Sequence, residues 1–227
     1  MQTHYRLTLV WALLLGSSLA GLATPPSIHW LPGQLVLASG QTLTGDLAYN
    51  WAAEMVLFQR ADGRVQTLSA TQVQDFAWYD PAMHGYRFFV SVAGSVPTNP
   101  DAPAFFERMV SGPLSVYRRM RKPRGLVKRT FQHPERVNPD QPDAPDYYYD
   151  YFAEADGKLR SFDRFYSDVY VPILSTFDTE LQIFRLRNHL DERSARSRMR
   201  LISYYNTLLT RQQASPTVAW QTSAPLD

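Results

Sequence analysis

In the stretch "GQLVLASGQTLTGDLAYN", Leu35 and Leu37 alternate with polar neighbours, and beyond Ser39-Gly40 the alternation resumes at Leu43, Leu47 and Tyr49 around Gly45. A period of two marks a half-buried strand, so this stretch reads as two strands joined by a tight turn. "EMVLFQRADGRVQTL" repeats the pattern on either side of Asp62-Gly63, a dipeptide suited to a type I′ hairpin turn because that turn needs positive φ. "SATQVQDFAWYD" predicts one helical turn from Ser69 and then a strand through Phe76 and Trp78, and "YRFFVSVAG" predicts another strand. The pattern describes a meander of about five to seven short strands.

A Pro- and Gly-rich loop, Gly94 to Pro103, leads to Phe105–Val110, readable as a strand or a short helix, and to a strand at Leu114–Met120. "YYYDYFAEADGKLRSF" reads as a strand, an Asp156-Gly157 turn and a short partner. From Phe162 the period lengthens to that of a helix. Phe162, Phe165 and Val169 share one face, and Pro172 closes that helix. Ser175 followed by Asp178 fits a capping box, ahead of an apolar stripe of Phe177, Leu181, Phe184 and Leu190. A third helix carries Ile202, Tyr205 and Leu209 beside Leu201, Tyr204 and Leu208. Strands first and helices after give an α+β fold, unlike the alternating βαβ of nucleotide-binding sheets. The expected architecture is an antiparallel β meander or roll over residues 24–160, two to three helices over 161–213 packed on it, and a disordered tail at 214–227.

The first 23 residues have the three parts of a cleavable secretory signal: Arg6, the apolar run Leu7 to Leu15, and small residues before a cut after Ala23. The run falls well short of the ~20 apolar residues that span a bilayer, and Gly16-Ser17-Ser18 interrupts it. The expected location is therefore periplasmic or extracellular, with peripheral attachment to the outer membrane left open and no transmembrane span after signal removal. The chain has no cysteine, which excludes a lipoprotein anchor, a disulfide framework and thiolate metal sites. Its stability must come from its core, which about 200 residues can supply.

"GDLAYN", "LSATQVQDF", "FFERMVSGPLSVYRR", "YYYDYFAEADGKL" and "ISYYNTLL" follow in this order. With the signal segment they resemble a group of uncharacterised exported proteins of Bacteroidetes-type bacteria. The resemblance spans nearly the whole mature chain and implies an envelope location. That group has no assigned activity, so no functional residue carries over.

Little in the chain looks like catalysis. His29, His84, His133 and His189 lie far apart, and none has the spacing of a helical zinc site. No nucleophile elbow, phosphate loop or dinucleotide fingerprint is present. Asp75, Asp80 and His84 cluster after a strand and are the candidates for the rival reading, a hydrolase assembled from scattered residues. Asp140, Asp143 and Asp146 recur every third residue in a Pro-rich segment, where polyproline II would align them toward Ca²⁺. The spacing matches no known calcium loop, and a solvated acidic loop is the expectation. No cofactor and no metal are expected. In the strand "YYYDYF", Tyr147, Tyr149 and Tyr151 share one face and Tyr148, Asp150 and Phe152 the other. The expectation is one face in the core and the other partly covered by a neighbouring strand, against the alternatives of a sugar platform or, in a third reading, a structural subunit that buries a Tyr-rich edge against a partner chain.

The strongest charge feature is "VYRRMRKPRGLVKRTFQHPERVN", with eight Lys and Arg residues against Glu135 alone. Six acids without a base follow between Asp140 and Asp156. Antiparallel pairing of Leu114–Met120 with Tyr147–Ala153 would set Arg118, Arg119 or Arg121 against Asp146 or Asp150. With a net charge of only +2, the chain is not expected to bind nucleic acid. The cations beyond that pairing, Lys122, Arg124, Lys128 and Arg129, and a helical face of Arg193, Arg196 and Arg200, are the candidates for weak contact with a polyanion or anionic envelope surface. The expected function is a non-catalytic envelope binding or accessory module.

Overall fold

The computed structural model describes residues 29–93, 102–121 and 148–214. Among them the strands are β1 (Leu31–Leu37), β2 (Thr42–Asn50), β3 (Met55–Gln59), β4 (Val65–Ser69), β5 (Val73–Asp80), β6 (Gly85–Val92), β7 (Ala104–Val110), β8 (Ser115–Arg121), β9 (Tyr148–Ala155) and β10 (Lys158–Ser161). The helices are α1 (Asp178–Arg187) and α2 (Ala195–Ala214), preceded by short helical turns between Phe162 and Phe177. This is the α+β order that the hydrophobic pattern predicts.

All strands join one antiparallel sheet in the order β10-β9-β8-β7-β6-β5-β1-β2-β3-β4. Each lies beside its chain neighbour except where β5 turns back to the free side of β1, setting Phe76 opposite Leu35. The sheet is rolled. Two strands separate β2 from β6, so a flat sheet would hold them ~14 Å apart. Instead the Tyr49 ring lies 5.3 Å from that of Phe89 and 5.7 Å from that of Phe105. The Glu54 carboxylate, in the β2–β3 turn, accepts from the Phe105 amide of β7 and from Arg119 of β8.

Gly33 and Gly45 face each other across β1 and β2. A Cβ on Gly33 would sit 2.4 Å from the Ala77 carbonyl oxygen, and one on Gly45 2.4 Å from that of Gln59. Only hydrogen leaves room for backbones to approach this closely, which is where the sheet coils. Gly45→Ala should therefore cost about 1–3 kcal/mol, because rigid backbone must move; urea denaturation would show it, and a loss below the error of the fit would refute this role.

The inner face of the roll carries two apolar clusters. Leu35, Leu47, Val56, Phe58, Phe76 and Phe89 fill the coil made by β1–β6. Leu114, Val116, Tyr151, Ala153 and Phe162 meet Leu174, Leu181, Leu201 and Ile202 under the helices. Asn206 of α2 fastens the layers together, accepting from the Leu114 amide and donating to the Leu114 carbonyl.

Three local readings need correction. At Asp62-Gly63 only Gly63 has positive φ, and the bonds Gly63 N to Arg60 O and Arg60 N to Arg64 O make a bulged turn rather than a type I′ turn. Asp156 and Gly157 both have positive φ and do form the tight turn. The first helix is a 3₁₀ turn at Phe162–Arg164 followed by a π-type turn at Tyr166–Tyr170. Ser175 does not cap α1, because its hydroxyl donates back to the Val171 carbonyl and α1 begins without a side-chain cap.

Candidate functional site

The ion pairs of the basic strand are built from inside the sheet. Glu107 of β7 stands opposite Arg118 of β8, on the inner face that also carries Arg87 of β6. Glu107 accepts from Arg87 Nε and Nη2 at 2.9 Å each and from Arg118 Nε at 2.7 Å. Asp80 adds a longer contact to Arg87 at 3.7 Å. Glu107 and Arg118 are buried. Burial alone pushes the Glu107 carboxyl up, but the hydrogen bonds and charges of Arg87 and Arg118 outweigh it and hold the group below the usual glutamate range. The Arg118 guanidinium lies 4.2 Å from the Tyr149 ring centroid, and Arg87 lies over Phe89 at 5.2 Å. These groups are packed against aromatic rings on the inner face of the sheet.

Arg119 is directed otherwise. It stands opposite Asp150, as the charge pattern predicts, and also donates to Glu54 at 2.7 Å. Arg118 stands opposite Tyr151, and its Nε donates to the buried Glu107 of β7. Asp146 lies outside the described residues, as do Asp140 and Asp143.

Of the proposed contact residues, Lys122, Arg124, Lys128 and Arg129 lie outside the described residues. Arg193, Arg196 and Arg200 are exposed. They do not form one helical face, because α2 begins at Ala195 and Arg193 sits in the turn before it. There the Arg193 amide donates to Asp191. Arg200 donates to Asn188 at 2.8 Å. The hydrolase candidates are scattered. Asp75 and Asp80 lie five positions apart on β5, hence on opposite faces and ~16 Å apart. His84 is exposed in the following turn at φ 48. Among the described residues no group of three metal-binding side chains converges. In "YYYDYF" one face is core, as the alternation predicts: Tyr151 lies beneath the helices with Tyr149 packed against it, while Phe152 on the other face packs edge-on to buried Phe106, and Tyr147 lies outside the described residues.

The exposed rings are elsewhere. On the outer face of β5 and β6, Tyr79 stands opposite Tyr86 and Ala77 opposite Phe88. Tyr79, Tyr86 and Phe88 are 40%, 67% and 43% exposed, and Met83 in the connecting turn is 47% exposed. The ring centroids of Tyr79 and Tyr86 are 5.5 Å apart, and those of Tyr86 and Phe88 6.1 Å. Arg108 of β7 holds its guanidinium 5.6 Å from the Phe88 centroid. Asp75, on the same face of β5, is half-buried, and burial pushes its carboxyl up against the opposing pull of Arg108. Among the described residues neither Asp75 nor Arg108 makes a hydrogen bond or an ion pair. A carboxylate, a guanidinium and three rings thus share one surface.

The signal for this surface lies in "WYDPAMHGYRFF". Its alternation places Trp78, Arg87 and Phe89 on one face and Tyr79, Tyr86 and Phe88 on the other, so both faces of the β5–β6 pair carry aromatic residues. Such a strand has either cover on both sides or an exposed aromatic side, and here the second applies. The chain is thus an α+β roll with helical cover inside and an aromatic face outside. Comparison with protein-family models, curated proteins and solved structures finds no match.

Proposed function

We propose that this protein is a non-catalytic, exported binding or accessory module of the cell envelope. The observation that carries the reading is the outer aromatic face, where Tyr79, Tyr86 and Phe88 stand exposed on the side of the sheet that also carries Asp75 and Arg108. Monomeric proteins seldom leave contiguous large apolar groups in water unless something binds there. The hydrolase reading gains no comparable support, because its candidate carboxylates lie on opposite faces of one strand. Arg193, Arg196 and Arg200 supply a secondary, salt-sensitive contact to anionic surface.

Two measurements test this. Intact mass of protein from its host should give a start near Thr24. The mature chain should co-sediment with an envelope fraction, and Tyr86→Ala with Phe88→Ala should remove most of that binding while leaving the melting curve nearly unchanged. A full-length mass, or equal sedimentation of the variant and the parent, would defeat the proposal.

A further inference from the structure

We infer that the outer aromatic face binds a polysaccharide chain, laid across Tyr79, Tyr86 and Phe88 with its hydroxyls on Asp75 and Arg108; this rests on the binding-module reading and names its ligand class.

The size of the surface limits the occupant. Four half-exposed large side chains present roughly 400 Å², taking 150–250 Å² for a whole aromatic side chain. A stable protein interface needs ~800 Å² per partner, about twice that. A narrow linear ligand fits the area, whereas a second folded domain does not.

The chemistry narrows it further. A sugar ring has an apolar face of C–H groups and a rim of hydroxyls that both donate and accept. Rings in water offer the first a flat apolar seat at low entropic cost, since Tyr and Phe have only two side-chain torsions. Asp75 offers acceptors and Arg108 a planar fork of donors, and neither is engaged among the described residues. A lipid tail or an apolar peptide segment would cover both groups without satisfying either, leaving stranded charge. A nucleic acid would set phosphates against Asp75, with Arg108 as the one cation stacked on the row among the described residues. A polyol meets both groups at once.

The row is also preorganised. Tyr86 is in edge contact with Tyr79 and tilted against Phe88, and Arg108 stacks on Phe88, so the rings are held before any ligand arrives. The strands beneath them are central members of the sheet, flanked by β1 and β7. Rings on such strands form a more rigid platform than rings on a loop.

Affinity electrophoresis of the full mature chain would test this. The gels would contain hydroxyethylcellulose, xylan, mannan or solubilised peptidoglycan glycan, with heparin and anionic lipid vesicles as comparison arms. Retardation is expected with at least one of the four glycans. Tyr86→Ala and Phe88→Ala should each weaken it about tenfold, and Asp75→Asn with Arg108→Gln should weaken it without altering the melting temperature. Changing Arg193, Arg196 and Arg200 to Gln should leave glycan retardation intact while reducing heparin retention. If no glycan retards the chain but envelope sedimentation still depends on Tyr86, the ligand class is wrong and the binding module stands. Loss of both would overturn both. Vesicle binding that depends on Tyr86, with no glycan retardation, would reassign the face to lipid.

Discussion

Glu107→Gln should destabilise the chain by about 3–5 kcal/mol, the largest effect expected of any single polar substitution here. Glu107 is the shared acceptor of Arg87 and Arg118, and its side chain is only 6% exposed. An amide keeps the shape but removes the charge and half of the acceptor capacity at the point where the Arg87 and Arg118 guanidinium groups meet. At roughly 2–4 °C per kcal/mol for a domain of this size, the melting temperature should fall by about 6–20 °C. The effect has a pH signature. The carboxyl is held below its unfolded value, so its contribution is present above the ordinary glutamate range and is lost as pH falls through the lower folded value. The parent and Glu107→Gln should thus converge in stability as acid is added and diverge toward neutral pH. A loss below 1 kcal/mol at neutral pH would show that the cluster is solvated. Replacing Arg87, Glu107 and Arg118 together by Met, Leu and Met should recover most of the loss, because apolar groups of similar volume need no partner.

Glu107 leaves only a weak mark in the sequence. Glu107 lies in "FFERMV", between aromatic residues, and alternation marks it as inward-facing. Inward charge on a strand looks like a weak register signal rather than the centre of a buried cluster. The downstream aspartates looked like better partners for Arg118 and Arg119 because they are many and nearby in the chain. Charge counting captures such proximity, but only the fold shows that β7 lies beside β8 with Glu107, and that β6 lies beyond it with Arg87. Antiparallel pairing of β8 with β9, and the opposition of Arg119 and Asp150, were legible because a strong alternating pattern fixes strand existence and approximate register. The contact of Glu54 with Arg119 was not, since it spans 65 positions and depends on the roll. The same holds for the outer aromatic face: each ring is visible in the sequence, but exposure depends on which face the second layer covers. Helix boundaries failed where side chains had two local options, as at Ser175, whose hydroxyl can cap forward or bond backward.

Asn206→Leu is expected to have the next largest effect, and it probes how the helical layer is held to the sheet. The Asn206 side chain accepts from the Leu114 amide at 3.1 Å and donates to the Leu114 carbonyl at 2.9 Å, across 92 positions of sequence. Both partners lie at a buried position just before β8. A leucine fills the space but satisfies neither group, at about 1–3 kcal/mol for each stranded donor or acceptor. Hydrogen exchange at the Leu114 amide should accelerate more than exchange in β1–β3, because the seam between α2 and β8 loosens first. The Asn needs Gly112 beneath it: a Cβ there would lie 2.3 Å from Asn206 Nδ2. Gly112→Ala should therefore also destabilise the chain, partly by pushing Asn206 off Leu114 and partly through its backbone φ of 150°. The two changes should not add. In an Asn206→Ala background the collision with the amide group is gone, leaving a 3.3 Å contact with Cβ and the backbone strain, so Gly112→Ala should cost distinctly less than in the parent. Strict additivity would show that the glycine and the asparagine act separately, and that the bond to Leu114 does not depend on the missing Cβ.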